Sequence, residues 1–265
     1  MSGAAAPVIL AADSGLGGLT IVTEIRKALP QARLAYLCDN AFFPYGTRPD
    51  TELLAHFLTV MHRAVARVQP DLIVTACNTI STICLPQLRA ATSIPVVGVV
   101  PAVKPAAQHS KRKVIGLLAT PATVNRPYTD DLIQRYAADC MVLRIGSAEL
   151  VDMAEAKLLG QAVDCDRLTC TLAPFFDRPA DERPDVVVLA CTHFPLLRAE
   201  LQAAGPSDVA WIDSGTAVAR RVTDVLPPLR GAGIAADLAL TSAHHGPALQ
   251  HALTQFGFAT VETLA

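Results

Sequence analysis

The chain has no apolar run near the roughly 18 residues that a membrane-spanning helix needs, so no membrane is implied. Its opening stretch, MSGAAAPVILAADSG, carries no basic residue ahead of the apolar part, unlike a signal peptide. Positive charge is not in excess either. The 22 Lys and Arg stand against 24 Asp and Glu, a formal net charge of -2, which excludes a broad basic field and makes nucleic acid an unsuitable primary partner. No CxxC pair occurs, and the 7 cysteines are an odd number at spacings unlike a disulfide framework, so reduced thiols and a cytoplasmic location are expected. Paired Cys or His ligand spacing is also missing, so no metal site is expected. The lysines are Lys27, Lys104, Lys111, Lys113 and Lys157, none at a predicted strand end where pyridoxal phosphate could form a Schiff base.

What remains is a soluble globular chain of 265 residues, 51% hydrophobic and 17% charged, long enough for one large domain or two ordinary ones. Short apolar runs at 8–12, 33–38, 71–76, 95–99, 114–119, 141–145, 185–190 and 209–212 read as strands, with further strands near 238–242 and 259–262. Amphipathic segments lie between them. The clearest is 51–68, where Leu54, Phe57, Leu58, Met61, Val65 and Val68 recur at helical spacing. A helix is also expected near 247–255. Alternation of this kind argues for an α/β fold of mainly parallel sheets covered by helices. No low-complexity linker interrupts the chain; the Pro-rich piece 101–105 and the basic loop 111–113 are the candidate boundaries.

Two stretches are near copies. Residues 69–79 read QPDLIVTACNT and residues 183–193 read RPDVVVLACTH, which puts Cys77 and Cys191 at the same step of the same motif, where a buried strand ends. In open α/β sheets ligands bind beyond the carboxyl ends of the strands. Asp13, Ser14 and the turn Gly15–Gly18 follow the first predicted strand, Cys38 and Asp39 the second, and Asn78 and Thr79 follow Cys77. The glycine-rich turn lacks GxGxxG spacing and a following GK[ST], and Asp13 would set a carboxylate beside a phosphate; a backbone turn approaching a small ligand fits better. A Cys just ahead of a helix feels the partial positive charge of unpaired N–H groups, which favours the thiolate. Inverting a carbon centre by proton transfer needs a base on one face and an acid on the other, and two matched thiols satisfy that requirement.

The motifs DSGLGG (13–18), PYG (44–46), ACNT (76–79), CTHFPLL (191–197) and DSG (213–215) together resemble the glutamate racemases of the aspartate/glutamate racemase superfamily, over nearly the whole chain. His193 directly after Cys191-Thr192 points to the glutamate branch. The resemblance implies two α/β lobes related by approximate twofold symmetry, residues 1–98 with 212–265 and residues 99–211, with the active site in the cleft between them. It also implies a cofactor-independent enzyme that interconverts L- and D-glutamate for peptidoglycan synthesis, with glutamate as its small-molecule partner and a homodimer as the further partner it admits. Cys77 and Cys191 would then be the acid/base pair, with Asp13 assisting Cys77 and His193 assisting Cys191. Asp13, Ser14, Tyr45, Gly46, Asn78, Thr79, Thr192 and His193 match the family's substrate contacts. The family's second-lobe glutamate aligns with Glu149, with Glu155 as runner-up. Thr120 and Thr123 resemble a second-lobe contact position, which helix capping explains equally well. His56, His62, His109, His244, His245 and His251 read as surface residues. This chain departs from the family in having Cys38 where Gly precedes the Asp, and Ala190 where Gly precedes the second Cys. Two other readings stay open: a racemase or isomerase of the same superfamily acting on aspartate or another small acid, and a catalytically silent amino-acid-binding protein on this fold.

Overall fold

A computed structural model describes residues 6–226, 234 and 236–264. Of the stretch read for a targeting signal, residues 1–5 lie outside the described residues, as do 227–233, 235 and 265 of the segment assigned to the first lobe. The chain forms two compact units, residues 1–99 with 215–265, and residues 100–214. Among the described residues no helix is long and apolar enough to cross a membrane.

The first unit begins with β1 (Val8–Asp13), α1 (Leu19–Ala28), β2 (Arg33–Cys38), α2 (Asp50–Val68), β3 (Leu72–Thr75), α3 (Asn78–Ala91) and β4 (Val96–Gly98). The second contains α4 (Val103–His109), β5 (Val114–Ala119), α5 (Pro121–Val124), α6 (Pro127–Tyr136), β6 (Met141–Gly146), α7 (Glu149–Leu158), α8 (Cys165–Phe176), β7 (Val186–Leu189), α9 (Arg198–Ala204) and β8 (Ala210–Ile212). The chain then completes the first unit with α10 (Gly215–Val225), β9 (Leu238–Thr241), α11 (Pro247–Gln255) and β10 (Thr260–Thr263). Each of the ten predicted strands has its counterpart, and every strand pair is parallel.

The two sheets share a wiring plan. Their strand orders are β10-β9-β2-β1-β3-β4 and β6-β5-β7-β8, so each contains four successive strands in the spatial order second, first, third, fourth. The duplicated Pro-Asp turns do the same work in both. Asp71 donates its N–H to the Val8 carbonyl and Asp185 to that of Val114, the first residues of β1 and β5. Their carboxylates then bind chain that is otherwise short of partners. Asp71 accepts from the Val8 N–H at 3.0 Å; Asp185 accepts from the Ser110 hydroxyl at 2.6 Å and the Lys111 N–H at 2.8 Å.

Burial explains the sequence pattern. β1, β3, β5 and β7 are buried at every residue, which is why they read as continuous apolar runs rather than alternating ones. On α2 the core side is Leu53, Phe57, Val60, Met61, Ala64 and Val68; Leu54, Leu58 and Val65 flank it, partly buried against the same core. The apolar arc is thus wider than the expected stripe and centred slightly to one side of it. The helix begins after Pro49 with Asp50 and Glu52 in its first turn, where carboxylates suit the dipole. It ends at Gln69, in the left-handed region at φ 50°, just before Pro70.

Candidate active site

In the first unit the polar residues collect at the carboxyl ends of three neighbouring strands, β2, β1 and β3. Asp13 ends β1, fully buried, and its Oδ1 accepts the Ser14 N–H at 2.7 Å. The glycine turn that follows is tightly held: the Tyr36 hydroxyl, from β2, donates to the Gly15 carbonyl at 2.5 Å. A side chain at Gly18 would lie 2.8 Å from Asp13 Cβ, 2.9 Å from the Tyr36 hydroxyl and 3.0 Å from Ala76 Cβ. Gly18 is therefore what lets the ends of β1, β2 and β3 come together. Asp39 follows β2 and donates its N–H to the Asp13 carbonyl at 2.8 Å.

Cys77 is the N-cap residue of α3, in extended backbone, and only 7% exposed. The first turn of a 14-residue helix therefore begins immediately after the thiol-bearing residue, and the positive end of the helix dipole favours negative charge there. Asn78 and Thr79 continue into the helix and are buried. Among the described residues, Asn78 Oδ1 is buried and accepts no hydrogen bond. Leaving such an acceptor unpaired costs about 1–3 kcal/mol, so it is suited to a donor brought by a ligand. Tyr45 starts a short 3-10 turn with Gly46 and Thr47 and is buried to its hydroxyl, which donates to Asp39 Oδ2. Its pKa is raised well above the ordinary phenol range, first by burial and then by the Asp39 carboxylate, with Cys77 and Asp13 adding to the effect.

In the second unit Cys191 occupies the matching place, after β7, the third strand of its set, and is 6% exposed. The next elements differ. Here a 3-10 turn, Phe194–Leu197, follows in place of an immediate α-helix, and His193 is its N-cap. The buried ring of His193 has Nδ1 3.9 Å from the Cys191 sulfur and Nε2 2.9 Å from Glu155 Oε2, on α7. Burial opposes charge on this imidazole. The hydrogen bonds to Cys191 and Glu155, with the electrostatic attraction of the same two groups, outweigh it and raise its pKa well above the ordinary value. Thr192 lies buried beside them.

The structure brings Glu155 to His193. Glu149, the carboxylate favoured by alignment, is the first residue of α7 and pairs with Arg167 on α8. Six residues at 3.6 per turn place the two glutamates on different sides of the helix. Thr120 is the N-cap of α5, its hydroxyl accepting the Thr123 N–H at 3.3 Å and donating to Thr123 Oγ1 at 3.0 Å, so Thr120 has a capping role whether or not it also meets substrate. Among the histidines, His62, His109, His244 and His251 are exposed and His245 half-buried. His56 departs from its expected surface role: its Nε2 lies 2.7 Å from the buried Asp39. A polar residue at the edge of an amphipathic helix resembles a solvated one until its neighbour is known, and its neighbour here is Asp39, directly after β2.

Comparison with known proteins identifies the family. The sequence pattern of the Asp/Glu/Hydantoin racemase family matches residues 19–222. The chain is 46% identical over 264 residues to glutamate racemase of Sodalis glossinidius, covering 97% of this chain and 90% of that one. It is likewise 46% identical to glutamate racemase of Proteus mirabilis, covering 98% and 91%. The chain belongs to the glutamate racemases. Among solved structures, Escherichia coli glutamate racemase in complex with L-glutamate and the activator UDP-MurNAc-Ala superposes with a TM-score of 0.93 at 43% identity, covering 98% of both chains. A glutamate racemase isoform of Bacillus anthracis gives 0.79 at 27%, covering 98% and 97%. Similarity on this scale spans both units.

Proposed function

We propose that this chain interconverts L- and D-glutamate without a cofactor, by two-base proton transfer between Cys77 and Cys191, and so supplies D-glutamate for peptidoglycan synthesis. The observation that carries the reading is the repeated placement of one buried cysteine after the third strand of each unit, with His193 beside Cys191 in the second. The thiolate on one side takes the α-hydrogen as a proton and becomes a thiol. The thiol on the other side gives its proton to the opposite face of the carbon and becomes a thiolate, so charge and protons balance and the product has the inverted configuration. Returning both sulfurs to their starting states takes one proton exchange with water.

The supporting groups are those that the family resemblance implies, with Glu155 added by its contact with His193. Asp13 assists Cys77, and His193, held by Glu155, assists Cys191. Ser14, Thr79, Thr192 and the backbone of Tyr45 and Gly46 supply hydroxyl and N–H donors for two substrate carboxylates. Asn78 Oδ1 accepts from the substrate ammonium. The work is assigned to the cytoplasm, where thiols stay reduced, with a homodimer as the assembly.

Incubation in D2O with L-glutamate and, separately, L-aspartate tests this reading by proton NMR. Glutamate should lose its α-proton signal as it racemises, without added cofactor. Exchange into aspartate alone would move the chain to another branch of the superfamily, and saturable glutamate binding with no exchange would make it a binding protein.

A further inference from the structure

Asp39, Tyr45 and His56 form a largely buried knot that the two-thiol scheme does not use. Asp39 is fully buried, and one of its oxygens takes both available contacts: the Tyr45 hydroxyl at 2.5 Å and His56 Nε2 at 2.7 Å, while Oδ1 is buried without a partner among the described residues. The tyrosine proton points at Oδ2, and in the tautomer that carries hydrogen on Nε2 the imidazole is the second donor to that oxygen. His56 is itself held. Its ring stacks on Phe42, centroids 3.9 Å apart and planes 10° from parallel, and its side chain is 23% exposed. The next residue on α2, Phe57, meets the Tyr45 ring edge-on at 6.1 Å.

We infer that His56 is a positioning residue for the substrate-binding turn, acting through Asp39 on Tyr45. This rests on the glutamate racemase reading given above. The Tyr45 hydroxyl proton is committed inside the protein, so it is not the group offered to substrate; the turn instead presents backbone at Tyr45 and Gly46. Phe57 fixes the ring from the side and Asp39 fixes the hydroxyl. Asp39 alone, with one donor and a free oxygen, could rotate about its last torsion and release the tyrosine. The second donor, delivered by α2, stops that rotation. Because the turn lies close enough to Cys77 and Asp13 for their charges to act on Tyr45, a loosened anchor would be felt where substrate binds.

The test compares His56→Gln, whose terminal amide reaches about as far as Nε2, with His56→Asn, whose amide stops near the Nδ1 position. Asparagine should raise KM for glutamate roughly tenfold with kcat within about threefold of wild type, as expected for a lost hydrogen bond to a carboxylate. Glutamine should stay within about threefold in both. A second readout needs no substrate: the Tyr45 hydroxyl proton should give a downfield, slowly exchanging NMR signal in wild type and in His56→Gln, and lose it in His56→Asn. A wild-type KM and hydroxyl signal in His56→Asn would overturn the inference, as would equal impairment of the two variants. If wild type exchanges no deuterium into glutamate, the racemase reading fails, and the hydroxyl signal still decides whether His56 anchors the turn.

Discussion

Glu155 Oε2 lies 2.9 Å from His193 Nε2, while Glu149, about 1.7 turns earlier on the same helix, pairs with Arg167 instead. The two carboxylates therefore make opposite predictions. Glu155→Gln weakens a hydrogen bond between charged groups, worth about 1.5–3 kcal/mol, and should lower kcat/KM roughly 10- to 100-fold. Glu149→Gln removes only a part-exposed ion pair and should stay within about twofold of wild type. Steady-state racemisation followed by circular dichroism of glutamate measures both. Reversal of the two effects would restore Glu149 as the functional carboxylate.

The same contact has a pH signature. The folded-state pKa of His193 is raised because its hydrogen bonds to Cys191 and Glu155 outweigh the burial that opposes charge. A histidine whose folded pKa exceeds its unfolded value of about 6.5 adds stability that is fully present below that value and is lost as pH rises through the folded pKa. Glu155→Gln should thus be most destabilising relative to wild type near pH 6, where the ring is protonated. The difference should shrink as pH rises through the folded pKa of the ring. Urea unfolding of the two proteins at several pH values gives the comparison, and a difference that widens toward alkaline pH would contradict the assigned direction.

Gly18 offers a test of the local packing. An added methyl would come within 2.8 to 3.0 Å of Asp13 Cβ, the Tyr36 hydroxyl and Ala76 Cβ, all buried and none at the end of a flexible chain. Gly18→Ala should cost about 1–3 kcal/mol of stability by overpacking, and shift the residues beside Asp13 and Cys77. Gly246, ahead of α11, has nothing within 4 Å of the same methyl and serves as the control, with Gly246→Ala expected within about 0.5 kcal/mol. Equal thermal shifts in the two variants would remove the close-contact argument.

Strands that are buried throughout, such as β5 and β7, are legible because nothing else gives a short β-branched run between turns. The duplicated cysteine motif is legible for a related reason: the Pro-Asp turn, the apolar run and the Cys recur together because both units use the same four-strand order. What the sequence hides is rotation about a helix. Glu149 and Glu155 are both acidic residues on α7, and only the packed helix decides which one meets His193. On α2, Leu54, Leu58 and Val65 match the helical period as well as the residues that fill the core, and His56 sits at the margin of that stripe. Its partner Asp39 is 17 residues away, so no local pattern joins them.

The two thiols give the most direct prediction about chemistry. Cys77→Ala and Cys191→Ala each remove one face's proton carrier, and each should reduce racemisation by at least about 100-fold, the lower range for a positioned acid or base. Neither should unfold the protein: each side chain is small and slightly exposed, at 7% and 6%. Alkylation of wild type should abolish turnover, with glutamate giving protection. Among the other cysteines, Cys165 and Cys170 are exposed on α8, so the experiment is best done in a background where both are replaced by Ser. Mass spectrometry then shows whether loss of activity follows modification of Cys77 or Cys191. Wild-type turnover in either alanine variant, measured by deuterium incorporation together with optical rotation, would refute the two-base assignment. Exchange that survives without inversion would instead identify the remaining thiol as able to act on one face alone.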